Sequence, residues 1–458
     1  MKLAEFIASY VVMFVEWIAT HFEPHPDEAL AIWMAVRFGE QRFPGVGRAW
    51  RKGNVLFCEA GRAMPIKLPC KREHILEAGI GGGWCDEHQD EQSGEECTAT
   101  LMADKLWLRG DAALEKMVQW TLANDQDAAG TSFDWSDIMK AGFHAGMPDL
   151  IMLKRSFRVF NAVYNKLSGC QKRIDISGMP DYWHLAAEWV LSLTKNDFLN
   201  NPEYDFSGPL LAAKATGLDH SELISWMLKY EVNIKGLDGQ PPREPAFMEI
   251  PSIVEALYHD GASVGEVTHF VREMLNARLA EQKLFIRASD EWAANRKMFW
   301  VQQDGVTYKV AVVTSDNRRI VSAVRASSDR PHAVIRMLPK TGHISLFANG
   351  LDVMPIAVRL RAACWAAVGN TSILSDERLR HEWTIEEVPQ LCLQRKAGNI
   401  LNASLTAPHV EPIRLSLKTY IAVVKAGLRE VARATALHRK ETKRRARQRH
   451  DARKADVA

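Results

Sequence analysis

Two short stretches carry side chains that could do chemistry together. The first, Thr20-His21-Phe22-Glu23-Pro24-His25-Pro26-Asp27-Glu28, holds five ionisable groups within eight residues. The second, Asp86-Glu87-His88, follows directly on Gly81-Gly82-Gly83-Trp84-Cys85. Imidazole and carboxylate groups converging on one point are the usual makings of a divalent-metal site. The alternative for an isolated H-x3-H-x-D pattern is a polar turn whose histidines face water. Both readings stand at this point.

The elements around these residues decide whether they can meet. Residues Val11 to Ala19 read as ending in a buried strand. Asp27 to Phe38 repeats apolar groups at helical spacing (Ala29, Leu30, Trp33, Val36), with Gly39 as a stop signal. Asn54–Cys58 and Ile75–Gly83 read as further strands, the latter running into a glycine turn. Thr98–Leu108 reads as a helix stopped by Gly110. Both clusters thus fall where a strand ends and a helix follows. The parallel βαβ plan brings such strand ends to one edge of a sheet, where ligands usually sit.

The remainder supplies bulk. Residues from about 111 to 280 read as mostly helical, with Ala112–Leu122, Ser156–Leu167 and His184–Leu193 as examples. Trp183, Trp189, Trp226 and Met227 recur at helical spacing, which favours core packing over a base-stacking platform. His144, His184, His220, His259 and His269 are scattered and read as surface or satisfied histidines, and Leu237–Pro245 as a loop. After Leu284 the period changes. Trp300–Gln303, Asp304-Gly305 and Val306–Val313 read as a hairpin, Ile320–Val324 as a third strand, and Val353–Ala367 as a helix.

With 458 residues, 47% of them hydrophobic and 25% charged, the chain is expected to form two or three soluble domains. Seven cysteines with no C-x-x-C pair argue against a disulfide framework and a cysteine zinc site, so the expected compartment is the cytoplasm. Leu3–Thr20 is apolar enough to suggest a signal or a span. Glu5 and Glu16 interrupt it and no small-residue cleavage site follows, so no membrane partner is expected; Met13 is a second candidate start. Nine Lys/Arg against two acids give Arg439–Lys454 a net charge of +7, leaving about −5 on the rest. Such a tail is either a solvated helix end or an arm for phosphate backbones.

The run T-H…D-E-A-L-A at 20–31, Phe43-Pro44-Gly45, the three glycines before Asp86-Glu87-His88-Gln89, and Cys97-Thr98-Ala99-Thr100-Leu101 together resemble the DHH phosphoesterase superfamily. Within it the pattern is most similar to the MYG-type exonuclease-like family. The signature covers residues 15 to 110, with looser similarity at Leu284–Trp292 and Asn399–Pro412. The resemblance implies a parallel-sheet N-terminal DHH-like α/β domain (1–150), a helical region (151–280), a small C-terminal α/β domain on the substrate side (281–430) and a basic helical or disordered tail (431–458). It also implies a metal-dependent phosphohydrolase or exonuclease using Mn2+ or Mg2+, acting on phosphodiester bonds in nucleic acid or small nucleotides.

Carried over residue by residue, His21, His25 and Asp27 stand where the superfamily's first motif ligates metal, with histidine in place of the first aspartate. Asp86 and Glu87 stand at ligand positions of the third motif, and His88 where a histidine contacts the scissile phosphate as the catalytic group. The bridging aspartate of the second motif aligns with Gly79, with Glu77 the nearest carboxylate. Asp125 or Asp127 is the candidate for the fourth motif. Pro339-Lys340-Thr341-Gly342-His343 resembles the substrate-side glycine-histidine turn. Arg325, Arg336, Gly342 and His343 are therefore candidate contacts for a phosphate or carboxylate, the alternative being basic surface residues around a turn. The altered ligand set leaves a second expectation, a catalytically degenerate relative that binds nucleic acid or nucleotide without hydrolysis.

Overall fold

A computed structural model describes residues 12–59, 67–80, 85, 96–127, 131, 133–172, 174–194, 245–370, 372–381, 383–395, 398–402 and 409–455. The chain divides into two compact units between Lys283 and Leu284.

In the first unit, β1 (Trp17–His21) lies between β2 (Val55–Cys58) and β3 (Ile75–Glu77) in a three-stranded sheet. Both neighbours run parallel to β1, with His21 opposite Cys58 and Ala19 opposite Glu77. Ile18, Ala19, Thr20 and His21 are all buried, the unbroken burial expected of a central parallel strand covered on both faces. Helix α1 (Pro26–Phe38) follows at once. Proline opens it, where a missing N–H costs nothing, and Asp27 and Glu28 occupy the first turn, where the helix dipole favours carboxylates. It is buried continuously from Pro26 to Ala35, so it is a core helix rather than a surface one.

Around it stand α2 (Val46–Lys52), α3 (Thr98–Lys105), α4 (Ala112–Asp127), α5 (Trp135–His144), α6 (Asp149–Leu167), α7 (Tyr182–Thr194), α8 (Ile250–His259) and, as far as Lys283, α9 (Val264–Ala294), whose last turns belong to the second unit. One continuous core runs from Val15 on the approach to β1 through to Leu279 on α9. The helical stretch expected at 151–280 therefore shares its core with the sheet and does not form a unit of its own. Trp33 of α1 shows the join: its ring meets Phe160 of α6 edge-on and its Nε1–H donates to Asn161 Oδ1 at 3.0 Å. Trp189 is likewise core, donating from Nε1 to Asn276 Oδ1 at 2.9 Å, and Trp183 is half-buried against the same core. Trp226, Met227, His220 and most of the loop expected at Leu237–Pro245 lie outside the described residues.

The second unit is built on a seven-stranded mixed sheet. β4 (Met298–Gln303) and β5 (Val306–Thr314) form the expected hairpin, with Asp304 and Gly305 both at positive φ (51° and 76°) as a two-residue turn demands. Ile320–Val324 is not the third strand. It lies in α10 (Ile320–Ala326), and the third strand is β6 (Ala333–Met337), which pairs parallel with β5. The parallel pairing is the physical reason: joining two parallel neighbours needs a crossover element, and Ile320, Ala323 and Val324 bury at helical spacing to provide it. β7 (Ile344–Ala348), α11 (Met354–Ala367), α12 (Asp376–Arg380), β8 (Trp383–Ile385), β9 (Val388–Gln394) and β10 (Asn399–Leu401) follow. They complete the order β4-β5-β6-β7-β10-β9-β8. The chain closes with α13 (Leu417–Ala455). Its first half buries Tyr420, Val424, Leu428, Val431, Ala432 and Ala436 in the core of this unit, and Gly427 lies against Ile356 of α11. From Leu437 to Arg445 every residue is exposed. Among the described residues no helix is long and apolar enough to cross a membrane.

Candidate metal centre

The centre is assembled at the carboxyl end of β1. His21 is the last residue of that strand, and its Nδ1 lies 2.7 Å from the Phe22 carbonyl oxygen. A carbonyl only accepts, so Nδ1 carries a hydrogen; Nε2 is the nitrogen turned inward, 2.8 Å from Glu28 Oε1. Because a carboxylate also only accepts, that contact is made by an imidazolium donating from Nε2, a proton that a cation bound there would displace. An imidazole fixed through one nitrogen by a carbonyl, with the other presented to a site, is how metal-binding histidines are commonly oriented. The chain then bends sharply. Glu23 adopts φ 51°, and its N–H donates to Asp149 Oδ1 of α6 at 3.3 Å. His25 caps α1 in extended backbone, exposed, with its ring 5.0 Å from that of His21. Asp27 and Glu28 come next, each only 2% exposed. Asp27 Oδ2 accepts the Thr98 N–H at 3.2 Å, the first amide of α3, where a carboxylate is favoured.

A fifth group arrives from far along the chain. Asp125, on the last turn of α4, brings a carboxylate oxygen to His25 and Asp27. The donor atoms of His21, His25 and Glu28 lie within 4.8 Å of one another, as do those of His25, Asp27 and Asp125. The two triads share His25. One side of the centre, at His21 and Glu28, is closed; the other, at His25 and Asp125, opens to solvent.

Electrostatics follow from this packing. Burial by itself raises the Glu28 carboxyl, but the charge and hydrogen bond of His21, with a further pull from His25, reverse this and hold it well below the usual carboxylate range. Glu28 Oε2 is nevertheless buried with no hydrogen-bond partner among the described residues. Neighbouring cysteines stay as thiols. Burial and then the charge of Asp27 push Cys97 up to about 12, and burial with Glu77 pushes Cys58 to about 11. Oxygen and imidazole nitrogen are the donors on offer.

The expected ligands fare as follows. His21 joins His25 in one triad, and Asp27 and Asp125 join His25 in the other. Asp127 closes α4, with its side chain outside the described residues, as are Asp86, Glu87 and His88 altogether. Cys85, which precedes them, bridges to Ala78 beyond the end of β3, and its carbonyl accepts the Gly79 N–H at 2.9 Å. Glu77 does not join the centre's triads: Arg72 holds both its oxygens, at 2.7 and 3.0 Å. Glu28 was not among the expected ligands. The signal available for it was its place beside Asp27, in an acidic pair at the start of a helix.

The substrate-side candidates all lie in the second unit. Arg325 donates to the Ala348 carbonyl at 2.8 Å and Arg336 to the Ser315 carbonyl at 3.2 Å, and burial lowers the pKa of both. Gly342 turns the chain at φ 77°. His343 is buried, with Nε2 against the Val410 carbonyl and Nδ1 2.6 Å from the Thr341 hydroxyl. Both its ring nitrogens are thus engaged within the unit. Lys340 lies 3.8 Å from Asp316. The scattered histidines that are described each face a carboxylate: His144 with Glu281, His184 with Asp181, His259 with Glu255 and His269 with Glu273.

No protein-family model, no curated protein and no solved structure matches this chain.

Proposed function

We propose that the chain is a metal-dependent phosphohydrolase of the DHH phosphoesterase type, cleaving phosphodiester bonds in nucleic acid or small nucleotides. The observation that carries this reading is the pair of triads that share His25, His21–His25–Glu28 and His25–Asp27–Asp125, the second of which brings in a carboxylate from far along the chain. The residues fit a divalent cation. A buried carboxylate oxygen of Glu28 lacks a hydrogen-bond partner among the described residues, and buried polar atoms are ordinarily satisfied. Mixed imidazole and carboxylate donors suit manganese better than magnesium, which prefers oxygen alone.

A cation held here supplies Lewis acidity, polarising a phosphoryl oxygen and lowering the pKa of a water. The chain's own groups do the rest. The Phe22 carbonyl orients His21, and the amide of Thr98 anchors Asp27. The exposed pair His25 and Asp125 marks the side from which a phosphate approaches. His88 takes the phosphate contact on the strength of the sequence resemblance.

The test is manganese binding followed by turnover. Asp27→Asn keeps an acceptor for the Thr98 N–H, so circular dichroism should not change. We expect Mn2+ affinity to fall more than about 100-fold, beyond the 10–100-fold typical of outer-shell groups. Release of nucleotides from a labelled oligomer should fall with it, and in His88→Ala should fall without it. Wild-type protein that binds no Mn2+ or Mg2+ and leaves oligonucleotides, dinucleotides and pyrophosphate intact would sink the hydrolase reading. The non-catalytic reading, in which nucleic acid is held without cleavage, draws on the exposed basic end of α13.

A further inference from the structure

The end of β3 and the start of α1 meet at an unusually close approach. Gly79 lies two residues past Glu77, at φ 69°, just where the chain pairs with Cys85. A Cβ at this position would stand 2.6 Å from Glu28 Cγ, 2.8 Å from Glu28 Oε1 and 3.0 Å from Thr98 Oγ1. Real Cβ atoms essentially never come so near, and two of the three neighbours belong to the side chain whose other oxygen is buried without a hydrogen-bond partner among the described residues. Glu28 thus occupies the volume into which a side chain from position 79 would project.

We infer that positions 28 and 79 share one carboxylate seat at the metal centre, filled from the helix by Glu28 because Gly79 leaves it open. Glu28 is then a ligand and Gly79 a positioning residue. The inference rests on the metal-centre reading above and adds which carboxylate completes its closed side. The seat faces His21 Nε2 and can be reached from two elements. A glutamate reaches it from the first turn of α1, and a shorter acid would reach it from the end of β3. Glycine at 79 also suits the left-handed backbone there, which aspartate and asparagine enter more readily than other side chains.

Three variants of the full chain test this, read by Mn2+ titration in a calorimeter, by the electron paramagnetic resonance of unbound Mn2+ and by circular dichroism. Glu28→Gln keeps the shape of the side chain and removes its charge; we expect at least a tenfold loss of Mn2+ affinity with the fold intact. Gly79→Ala drives a methyl group against Glu28 Cγ and Oε1 without removing a donor, and should weaken Mn2+ binding by a similar factor. Glu28→Ala combined with Gly79→Asp should recover affinity to within about tenfold of wild type, while Glu28→Ala alone does not. Should Glu28→Gln bind Mn2+ like wild type, the inference is overturned even if Gly79→Ala fails to fold. A double variant no better than Glu28→Ala overturns the shared seat. Wild-type protein that binds no divalent cation defeats the metal-centre reading itself, an outcome distinct from both.

Discussion

His21 and Glu28 sit seven positions apart, yet their side chains touch at 2.8 Å. Neither the strand period of two nor the helix period of 3.6 places them on one face, because the turn at 22–25 intervenes. That is why His21, His25 and Asp27 could be read as ligands from residue type and spacing while Glu28 could not. Asp125 was reachable only through the resemblance, since nothing local to NDQD distinguishes it from a solvated helix end. Asp134 makes a different point at this scale. It caps α5 by accepting the Ser136 N–H at 2.9 Å and also accepts Trp120 Nε1–H at 2.9 Å, yet burial outweighs both and raises its pKa. The folded state then holds the proton more tightly than the unfolded chain, so ionisation costs stability. This cost is absent below the ordinary value of about 3.8 and grows as pH rises through the folded value. Asp134→Ala should destabilise by about 1 kcal/mol through the lost cap. Its deficit in urea denaturation should be larger at pH 4 than at pH 7; a deficit that grows with pH would contradict this.

Elements were legible where local chemistry left one choice. Asp-Gly between apolar runs pointed to the β4–β5 hairpin, and the helical apolar spacing from Asp27 with Gly39 as a stop framed α1 to within a residue. The five residues Ile320–Val324 were not decidable alone, because a short β-branched apolar run fits a buried strand as well as one helical turn. Their state is set by the parallel pairing of β5 with β6, a tertiary fact. The later strands β6 to β10 are short, three to seven residues, and carry little periodic signal. Packing between α13 and α11 yields a prediction at this scale. Gly427 lies mid-helix, where alanine would ordinarily gain about 1 kcal/mol. A Cβ there would stand 2.8 Å from both the Cα and Cγ1 of Ile356, the first of them backbone. Overpacking of this kind costs about 1–3 kcal/mol. Gly427→Val, which adds poor helix propensity to the clash, should therefore lower the thermal midpoint of the second unit; an unchanged or raised midpoint would show that the helices separate freely.

At the scale of the whole molecule, composition pointed to several domains, and the chain has two compact units. The first of them ends at Lys283. The expected boundary at 150 falls inside a shared core, because helical periodicity alone does not say what a helix packs against. Charge is partitioned as the sequence indicated. The residues of α13 that pack into the second unit end at Ala436, and the basic stretch begins just beyond, extending roughly 28 Å from 437 to 455 at a helical rise of 1.5 Å. Removing residues 438–458 should leave the melting midpoint unchanged, since no described core residue is lost. It should also weaken binding to single-stranded oligonucleotide and flatten its salt dependence, each lost phosphate contact taking about 0.7 from the log–log slope. Equal slopes for the two proteins would take the helix end out of nucleic-acid binding.

The bend from Phe22 to His25 has the broadest consequence. Glu23 is held in left-handed backbone there, and a helix begins immediately after. Each residue of a helix rotates its side chain by roughly 100°. The bend is therefore an indexing joint: one added or missing residue would swing Asp27 and Glu28 away from His21 while leaving strand and helix intact. Length, more than the identity of Phe22 or Pro24, is what drifting descendants of this chain would have to preserve.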